Sequence, residues 1–248
     1  MITSFSKNLL NFLLPPTCYI CKLPIKGYGN SYICRICWDK IKFIEDPVCP
    51  SCGMPFESNI TLLKSPDFLC GECREKKCHF TKAIAVGVYE GTLSEAIHIL
   101  KYQKRQAMAK YLNAVITNVL LQRLTDSDII IPVPLHKKRL NERGFNQSLL
   151  IAHHLSNRLS IPLCMDGLQR TRWTRPQIEL SRDERLKNVR GAFAVRADFK
   201  PAHTIKDKRV ILVDDVYTTG ATVNECAKVL KKAGASEVVV FTIARVGR

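Results

Sequence analysis

The chain has 248 residues, of which 46% are apolar and 24% are charged. This composition supports a packed core and excludes a wholly disordered polypeptide. The formal net charge of +16 indicates polyanionic partners such as phosphates or nucleic acid, with a solvated basic surface as the alternative. No apolar run reaches the length of about 18–20 residues that a transmembrane helix needs, so no transmembrane segment is predicted.

Residues 1–17 form a predicted amphipathic helix that docks on the protein itself, with contact to a membrane surface as the alternative. Lys7 is the only basic residue before Pro15, and no small-residue cleavage site follows. A signal peptide is therefore not expected. The expected location is cytoplasmic, where cysteines stay reduced and serve as metal ligands or buried thiols rather than disulfides.

Residues 18–79 carry nine of the eleven cysteines, and eight of these form four C-x-x-C pairs. Two such pairs can place four sulfurs around one tetrahedral ion, as in a zinc ribbon. Pairing in chain order predicts a double zinc ribbon with two closed, structural zinc sites: Cys18, Cys21, Cys34 and Cys37, then Cys49, Cys52, Cys70 and Cys73.

Redox dithiols or an iron–sulfur cluster are the alternatives for this module, and Cys78 or His79 could replace a zinc ligand. Zinc ribbons contact both nucleic acids and proteins, so the ribbon's partner stays open. The two later cysteines, Cys164 and Cys226, have apolar neighbours and are predicted to be inert core thiols.

Residues 80–248 form the second predicted domain, in which strands alternate with helices. The predicted elements are a strand at 83–89, helices at 93–103 and 107–124, a strand at 128–133, a helix at 147–159, a strand at 208–214, a helix at 221–233 and a strand at 237–244. Such alternation predicts an α/β domain with a mostly parallel sheet.

A basic loop is predicted directly after the strand at 128–133. Its candidate ligand-binding residues are His136, Lys137, Lys138 and Arg139. Lysine and arginine neutralise the charge that builds on a departing diphosphate, so this loop could hold pyrophosphate, and a solvated basic loop is the alternative. Asn146 is predicted to cap the helix that follows.

A polar, arginine-rich stretch with weak periodicity runs from about 166 to 202. A loop of that length inside a compact domain is usually functional or disordered, and this one could close over a bound ligand. Residues 135–210 hold 17 Lys and Arg against 7 Asp and Glu, so much of the excess positive charge surrounds the proposed site. Trp173 is either a base-stacking residue or an anchor of the loop within the protein.

The sharpest local pattern is an apolar strand that ends in Asp214-Asp215 and is followed by a loop of threonine and glycine. Ligands bind outside the carboxyl ends of strands in open α/β sheets, and backbone N–H groups at a helix N-terminus bind anions. The acids could accept hydrogen bonds from sugar hydroxyls or hold a magnesium–sugar complex. The candidate phosphate-binding residues are Thr218, Thr219, Gly220, Ala221 and Thr222.

This segment resembles the motif with which type I phosphoribosyltransferases bind 5-phosphoribosyl-1-pyrophosphate (PRPP). The resemblance implies that Asp214 and Asp215 contact the ribose hydroxyls at the catalytic centre. It also implies that residues 218–222 grip the 5-phosphate, and that Mg²⁺ accompanies PRPP.

The whole chain resembles the ComF/GntX family. The features that carry this resemblance, in chain order, are the double ribbon, Leu100-Lys101-Tyr102, the segment 134–147, the Arg-Thr-x-x-Thr-x-x-Gln block at 170–177 and the Asp-Asp loop. The resemblance implies a type I phosphoribosyltransferase-like domain that binds PRPP and takes part in natural competence. Its expected partners are single-stranded DNA and DNA-uptake or helicase proteins.

An active phosphoribosyltransferase that acts on an unidentified small-molecule acceptor is the alternative. Type I transferases usually carry a hood segment that recognises a nucleobase, and no base pocket is recognisable in this sequence. The zinc ribbon could take the place of that hood.

Overall fold

The computed structural model describes residues 16–25, 32–56, 68–103, 105–174, 181–196 and 205–247. The predicted helix at 1–17 lies outside these residues except for its last two positions. The described helices are α1 (Arg35–Trp38), α2 (Gly71–Glu75), α3 (Gly91–Tyr102), α4 (Met108–Ala114), α5 (Asn118–Gln122), α6 (Lys137–Arg143), α7 (Gln147–Leu159), α8 (Arg182–Val189) and α9 (Ala221–Lys232). The described strands are β1 (Lys82–Val88), β2 (Ile129–Pro132), β3 (Leu168–Arg170), β4 (Phe193–Val195), β5 (Arg209–Tyr217) and β6 (Glu237–Arg245). No helix within these ranges is long and apolar enough to cross a bilayer.

A parallel four-stranded sheet lies at the centre of the molecule, with strand order β1–β6–β5–β2. Successive side chains of a strand point to opposite faces. Ile211 and Val213 of β5 therefore belong to one apolar core, and Val210 and Leu212 belong to another. Helices α3, α4, α5 and α7 pack on the first face and α9 packs on the second. The predicted α/β sheet is thus confirmed.

The structure differs from the predicted elements at 107–124 and within 166–202. The single helix expected at 107–124 is two short helices, α4 and α5. Val115, Ile116 and Thr117 separate them; all three are β-branched residues of low helix propensity, and the Thr117 hydroxyl caps α5 by accepting from the N–H of Leu120. The described part of the stretch at 166–202 contains regular structure that was not predicted, because β3 and β4 pair antiparallel and α8 lies between them in the chain.

The two halves of the cysteine module share one backbone pattern. In each half, an antiparallel bridge joins the residue before the first cysteine to a proline three residues after the second: Thr17 with Pro24, and Val48 with Pro55. The residue directly after the second cysteine has a positive φ in both halves, 62° at Lys22 and 68° at Gly53. Each half continues into a short helix, α1 or α2, that follows its third cysteine.

The cysteine module lies across the edge strand β1. The N–H of Ile44 donates to the carbonyl of Val86, and the N–H of Val88 donates to that of Lys42, both at 2.9 Å. The cysteines of the two halves belong to different apolar cores. Cys18 and Cys37 pack into the core on one face of the sheet, and Cys49, Cys52 and Cys70 pack into the core on the other.

Candidate functional site

The acid pair lies on β5, near the carboxyl end of the sheet. The strand was expected to end at Asp214 but continues to Tyr217, because β6 remains paired with it as far as Arg245. Asp214 and Asp215 are 9% and 4% exposed. One Asp214 carboxylate oxygen, Oδ1, accepts hydrogen bonds from the Ser148 hydroxyl and from the N–H of Asp215, both at 2.9 Å.

The environment of Asp214 favours the protonated form of its carboxyl group. Burial, and then the adjacent charge of Asp215, raise its pKa from 3.8 to about 7. Lys101 and the Ser148 hydroxyl act in the opposite direction. A protonated carboxyl group can donate a hydrogen bond, whereas the carboxylate only accepts.

Lys101 at the end of α3 neutralises the second acid. Its Nζ lies 2.7 Å from Oδ2 of Asp215, and the two side chains are 18% and 6% exposed. Burial alone would lower the pKa of Lys101, but Asp215 raises it above the ordinary lysine value. In the sequence Lys101 is recognisable only as part of a family motif, since nothing local to 100–102 indicates its partner.

The loop after β5 is built around Gly220, which caps the N-terminus of α9 with a φ of 74°. A β-carbon at this position would overlap the hydroxyl of Tyr217, so the backbone rests directly on that ring. Thr218, Gly220 and Thr222 line the cavity above the acids. Thr219 instead accepts from the N–H of Ala221 at 3.4 Å, and Ala221 is buried.

The predicted basic loop is a helix, α6, and this corrects the sequence analysis. Nδ1 of His136 caps its first turn by accepting from the N–H of Lys138 at 3.2 Å, and Gly144 ends it with a φ of 83°. Between these two signals no residue breaks a helix. Of the four basic residues predicted to bind ligand, Arg139 lines the cavity, whereas Lys137 is exposed at the start of the helix.

Three arginines stand in the cavity wall: Arg139, Arg143 and Arg170. Nη1 of Arg143 donates to Oε1 of Gln147 at 2.5 Å, which fixes the direction of its guanidinium. Burial lowers the pKa of both Arg143 and Arg170 from the ordinary arginine value. Sequence analysis did not assign Arg143 or Arg170 to ligand binding, although both lie in the basic segments that it identified.

Trp173 also lines the cavity, next to Arg139. Nζ of Lys138 and Cζ of Arg139 lie 5.0 and 5.4 Å from the centre of its ring, and His136 meets the ring edge-on at 5.3 Å. These cation–π contacts favour the anchor interpretation of Trp173 over free base stacking, since cations already lie against the ring. The cavity has a volume of about 580 Å³.

The eight predicted zinc ligands form two clusters. Within each cluster the four sulfurs lie within 4.8 Å of one another, as one tetrahedral zinc ion requires. The N–H of Cys34 donates to the sulfur of Cys18, and that of Cys70 to the sulfur of Cys49, which stabilises thiolates. Both sites therefore fit structural zinc, and Cys78 belongs to neither four-sulfur cluster. Cys164 and Cys226 are buried core thiols, as predicted.

Comparison with known proteins matches both parts of the chain. Residues 9–74 match the double zinc ribbon domain, and residues 146–248 match the phosphoribosyl transferase domain. Competence protein F of Haemophilus influenzae is 32% identical over 243 residues, which cover 96% of this chain and 99% of that protein. The chain belongs to the ComF family.

Other relatives of this ComF-family chain match over similar lengths. DNA utilization protein YhgH of Shigella flexneri is 33% identical over 94% of the chain and 98% of that protein. Competence protein ComFC of Bacillus subtilis is 26% identical over 86% of the chain and 84% of that protein. The α/β domain is thus a phosphoribosyltransferase-type domain that follows a double zinc ribbon, as predicted.

Solved structures match a little over half of the chain. A purine phosphoribosyltransferase from Pyrococcus horikoshii covers 58% of this chain and 83% of its own, at 20% identity and a TM-score of 0.33. The glutamine PRPP amidotransferase from B. subtilis covers 56% of this chain at 23% identity and a TM-score of 0.33. This chain spans about a quarter of that enzyme, since 26% of it is matched.

Proposed function

We propose that this ComF-family chain binds PRPP together with Mg²⁺ in the cavity at the carboxyl end of β5. One observation carries the proposal. The acid pair, the Gly220 loop and the three arginines, which are distant in sequence, line a single cavity. The site has a group for each part of PRPP, namely a phosphate, a sugar diol and a diphosphate.

Each part of the ligand has a chemical counterpart in the wall. The N-terminus of α9 and the hydroxyls of Thr218 and Thr222 suit the 5-phosphate. The buried carboxylates of Asp214 and Asp215 suit the ribose hydroxyls. Arg139, Arg143 and Arg170 suit the diphosphate, because guanidinium groups bind phosphate oxygens in a bidentate manner.

The donor set also fits Mg²⁺. This hard cation binds through one or two carboxylates, with substrate phosphates and waters completing an octahedron, and Asp214 and Asp215 supply carboxylate oxygens at the cavity floor. When bound, the ion would neutralise charge on the diphosphate. Lys101 balances the charge of Asp215, so the protein's own residues stabilise the acid pair.

The test is calorimetric titration of the zinc-loaded protein with PRPP and Mg²⁺. Asp215→Asn should weaken binding by at least about tenfold, because a hydrogen bond to a charged acceptor contributes about 1.5–3 kcal/mol. Asp126→Asn is the matched control, since the Asp126 side chain is 79% exposed. Equal affinity of the Asp215→Asn variant and the wild type would refute the assignment.

We further propose that the protein works in the cytoplasm during natural competence and contacts single-stranded DNA and DNA-uptake or helicase proteins. The names of its relatives, the charge of +16 and the exposed Lys137 and Lys138 support this role. Binding of a labelled oligothymidylate should weaken with salt and with Lys137→Glu or Lys138→Glu. Lys232→Glu at the far end of α9 makes the same change of charge and should have little effect. Equal loss in all three variants would assign the effect to net charge alone.

An active transferase is the second candidate function, because the arginine wall is also suited to a departing diphosphate. No side chain needs to act as a covalent nucleophile in that reaction. Release of pyrophosphate from PRPP in the presence of a panel of small nucleophilic acceptors, lost in Asp215→Asn, would support it. PRPP binding without release would favour the binding role.

A further inference from the structure

Arg245, the last residue of β6, is a buried cation that has no carboxylate partner among the residues that the structure describes. It is 2% exposed, and none of the described carboxylates forms an ion pair with it. A buried guanidinium is costly unless an opposite charge lies close to it and its donors are hydrogen-bonded. The counter-charge of Arg245 must therefore come from another kind of group.

The second cysteine cluster supplies that group. Nη1 of Arg245 donates to the carbonyl oxygen of Cys52, one of the four predicted zinc ligands. Zinc bound by these four thiolates would carry a net charge of two negative units and would supply a counter-charge for the guanidinium. The N–H of Ala83 donates to the carbonyl of Ser51 at 2.8 Å, which holds the same cysteine turn against β1.

The other side of Arg245 reaches the phosphate-binding loop. Its Cζ lies 4.8 Å from the centre of the Tyr217 ring, a cation–π contact. The backbone at Gly220 rests on the hydroxyl end of that ring. Phe80 meets the same ring edge-on, with the ring centres 6.3 Å apart. A continuous set of contacts thus runs from Cys52 through Arg245 and Tyr217 to Gly220.

We propose that Arg245 is a positioning residue that couples the second zinc centre to the phosphate-binding loop. The zinc centre holds the guanidinium, the guanidinium holds the Tyr217 ring, and the ring supports the backbone that receives the anion. The consequence for PRPP affinity rests on the proposed function, whereas the order of the loop does not. Since coupling between two sites is reciprocal, a ligand in the loop should also slow zinc loss from the second centre.

The experiment compares the wild type, Arg245→Met and Arg245→Lys as full-length, zinc-loaded proteins. Hydrogen exchange is measured in peptides that cover residues 217–224, and zinc release to a chromophoric chelator is followed in parallel. Arg245→Met should raise the rate of hydrogen exchange in the loop by about tenfold. It should also raise the rate of one of the two zinc-release phases by about tenfold. Arg245→Lys, which keeps the charge but not the guanidinium plane, should restore part of both effects.

Arg209→Met is the matched control, because Arg209 starts the neighbouring strand β5 and pairs with Glu237 on the surface. Arg209→Met should change neither hydrogen exchange in the loop nor the rate of zinc release. If Arg245→Met fails to fold, Tyr217→Leu removes the next link and should accelerate the same zinc-release phase. Faster zinc release with unchanged exchange in the loop would overturn the coupling. If the wild type does not bind PRPP, the proposed function fails, and hydrogen exchange still decides this inference.

Discussion

Two lysine–carboxylate pairs of almost equal length allow the contribution of burial to be measured within one molecule. Lys101 and Asp215 are 2.7 Å apart, and Lys42 and Glu90 are 2.6 Å apart. The side chains of the first pair are 18% and 6% exposed, whereas those of the second are 72% and 48% exposed. The perturbation is Lys→Met at either lysine, which keeps an unbranched apolar side chain and removes the charge.

The expected losses in the free energy of unfolding differ severalfold. Removal of one partner from a buried pair costs about 3–5 kcal/mol because the other charge stays buried and uncompensated. Since Lys101 keeps some exposure to water, we expect about 3 kcal/mol for Lys101→Met. Exposed pairs contribute about 0.2–1 kcal/mol, so Lys42→Met should lie in that range.

Urea unfolding followed by circular dichroism tests this expectation. With a slope of about 3 kcal/mol per molar urea, Lys101→Met should lower the midpoint by about 1 M and Lys42→Met by less than about 0.3 M. Adding Asp215→Asn to Lys101→Met should recover part of the loss, because no uncompensated charge then remains. Equal midpoints for the two single variants would refute the inference that Lys101 stabilises the acid pair by neutralising a buried charge.

Asp214, Gly220 and Cys52 each allow one further test of the candidate site and the cysteine module. The pKa of Asp214 is raised to about 7 from an unfolded value of about 3.9, so the folded state binds more protons than the unfolded state between these pH values. The free energy of unfolding should therefore fall as pH rises from about 4 to 7. Asp214→Asn should flatten this slope in urea midpoints measured across pH. Gly220→Ala should abolish PRPP binding in calorimetry, because the added carbon would overlap Tyr217. Gly191→Ala is the control, since Gly191 has a similar φ of 67° and no atom lies within 4 Å of the added carbon. It should lose only about 1–2 kcal/mol of stability and keep PRPP binding. Cys52→Ser should reduce the zinc content measured by mass spectrometry from two ions per chain to one. Cys164→Ala, the control, should leave it at two ions per chain. Unchanged zinc content in Cys52→Ser would contradict the assignment of ligands.

The elements of the parallel sheet and the two cysteine clusters were predictable because both are encoded locally. Strand β5 contains a run of apolar residues that leads directly into its acid pair. The helix at 147–159 has the bounds that its apolar periodicity and the Asn146 cap predict. Each C-x-x-C pair needs only one turn of backbone to bring its sulfurs together. The antiparallel bridges Thr17–Pro24 and Val48–Pro55, which flank the first C-x-x-C pair of each half, are a consequence of that same turn.

The contacts that complete the candidate site were not predictable, because they join segments far apart in the chain. The partner of Asp215 lies on α3, 114 residues earlier, and the hydroxyl that binds Asp214 lies on α7, 66 residues earlier. The helical form of residues 137–143 depends on a histidine cap, and histidine is a less common capping residue than serine or asparagine. Arg245 carries no local signal, since a basic residue at a strand end is usually solvated.

The position of the cysteine module across β1 affects what can fold by itself. Although the sequence pattern changes near residue 80, a chain that began there would leave β1 as an open edge and would remove Cys18, Cys37 and Cys49 from the two cores. Cutting at the sequence boundary would therefore separate two parts of one cooperative unit. Zinc supply then becomes a condition for assembling the phosphoribosyltransferase-type sheet itself, so a cell short of zinc would lose the whole protein, and not its ribbon alone.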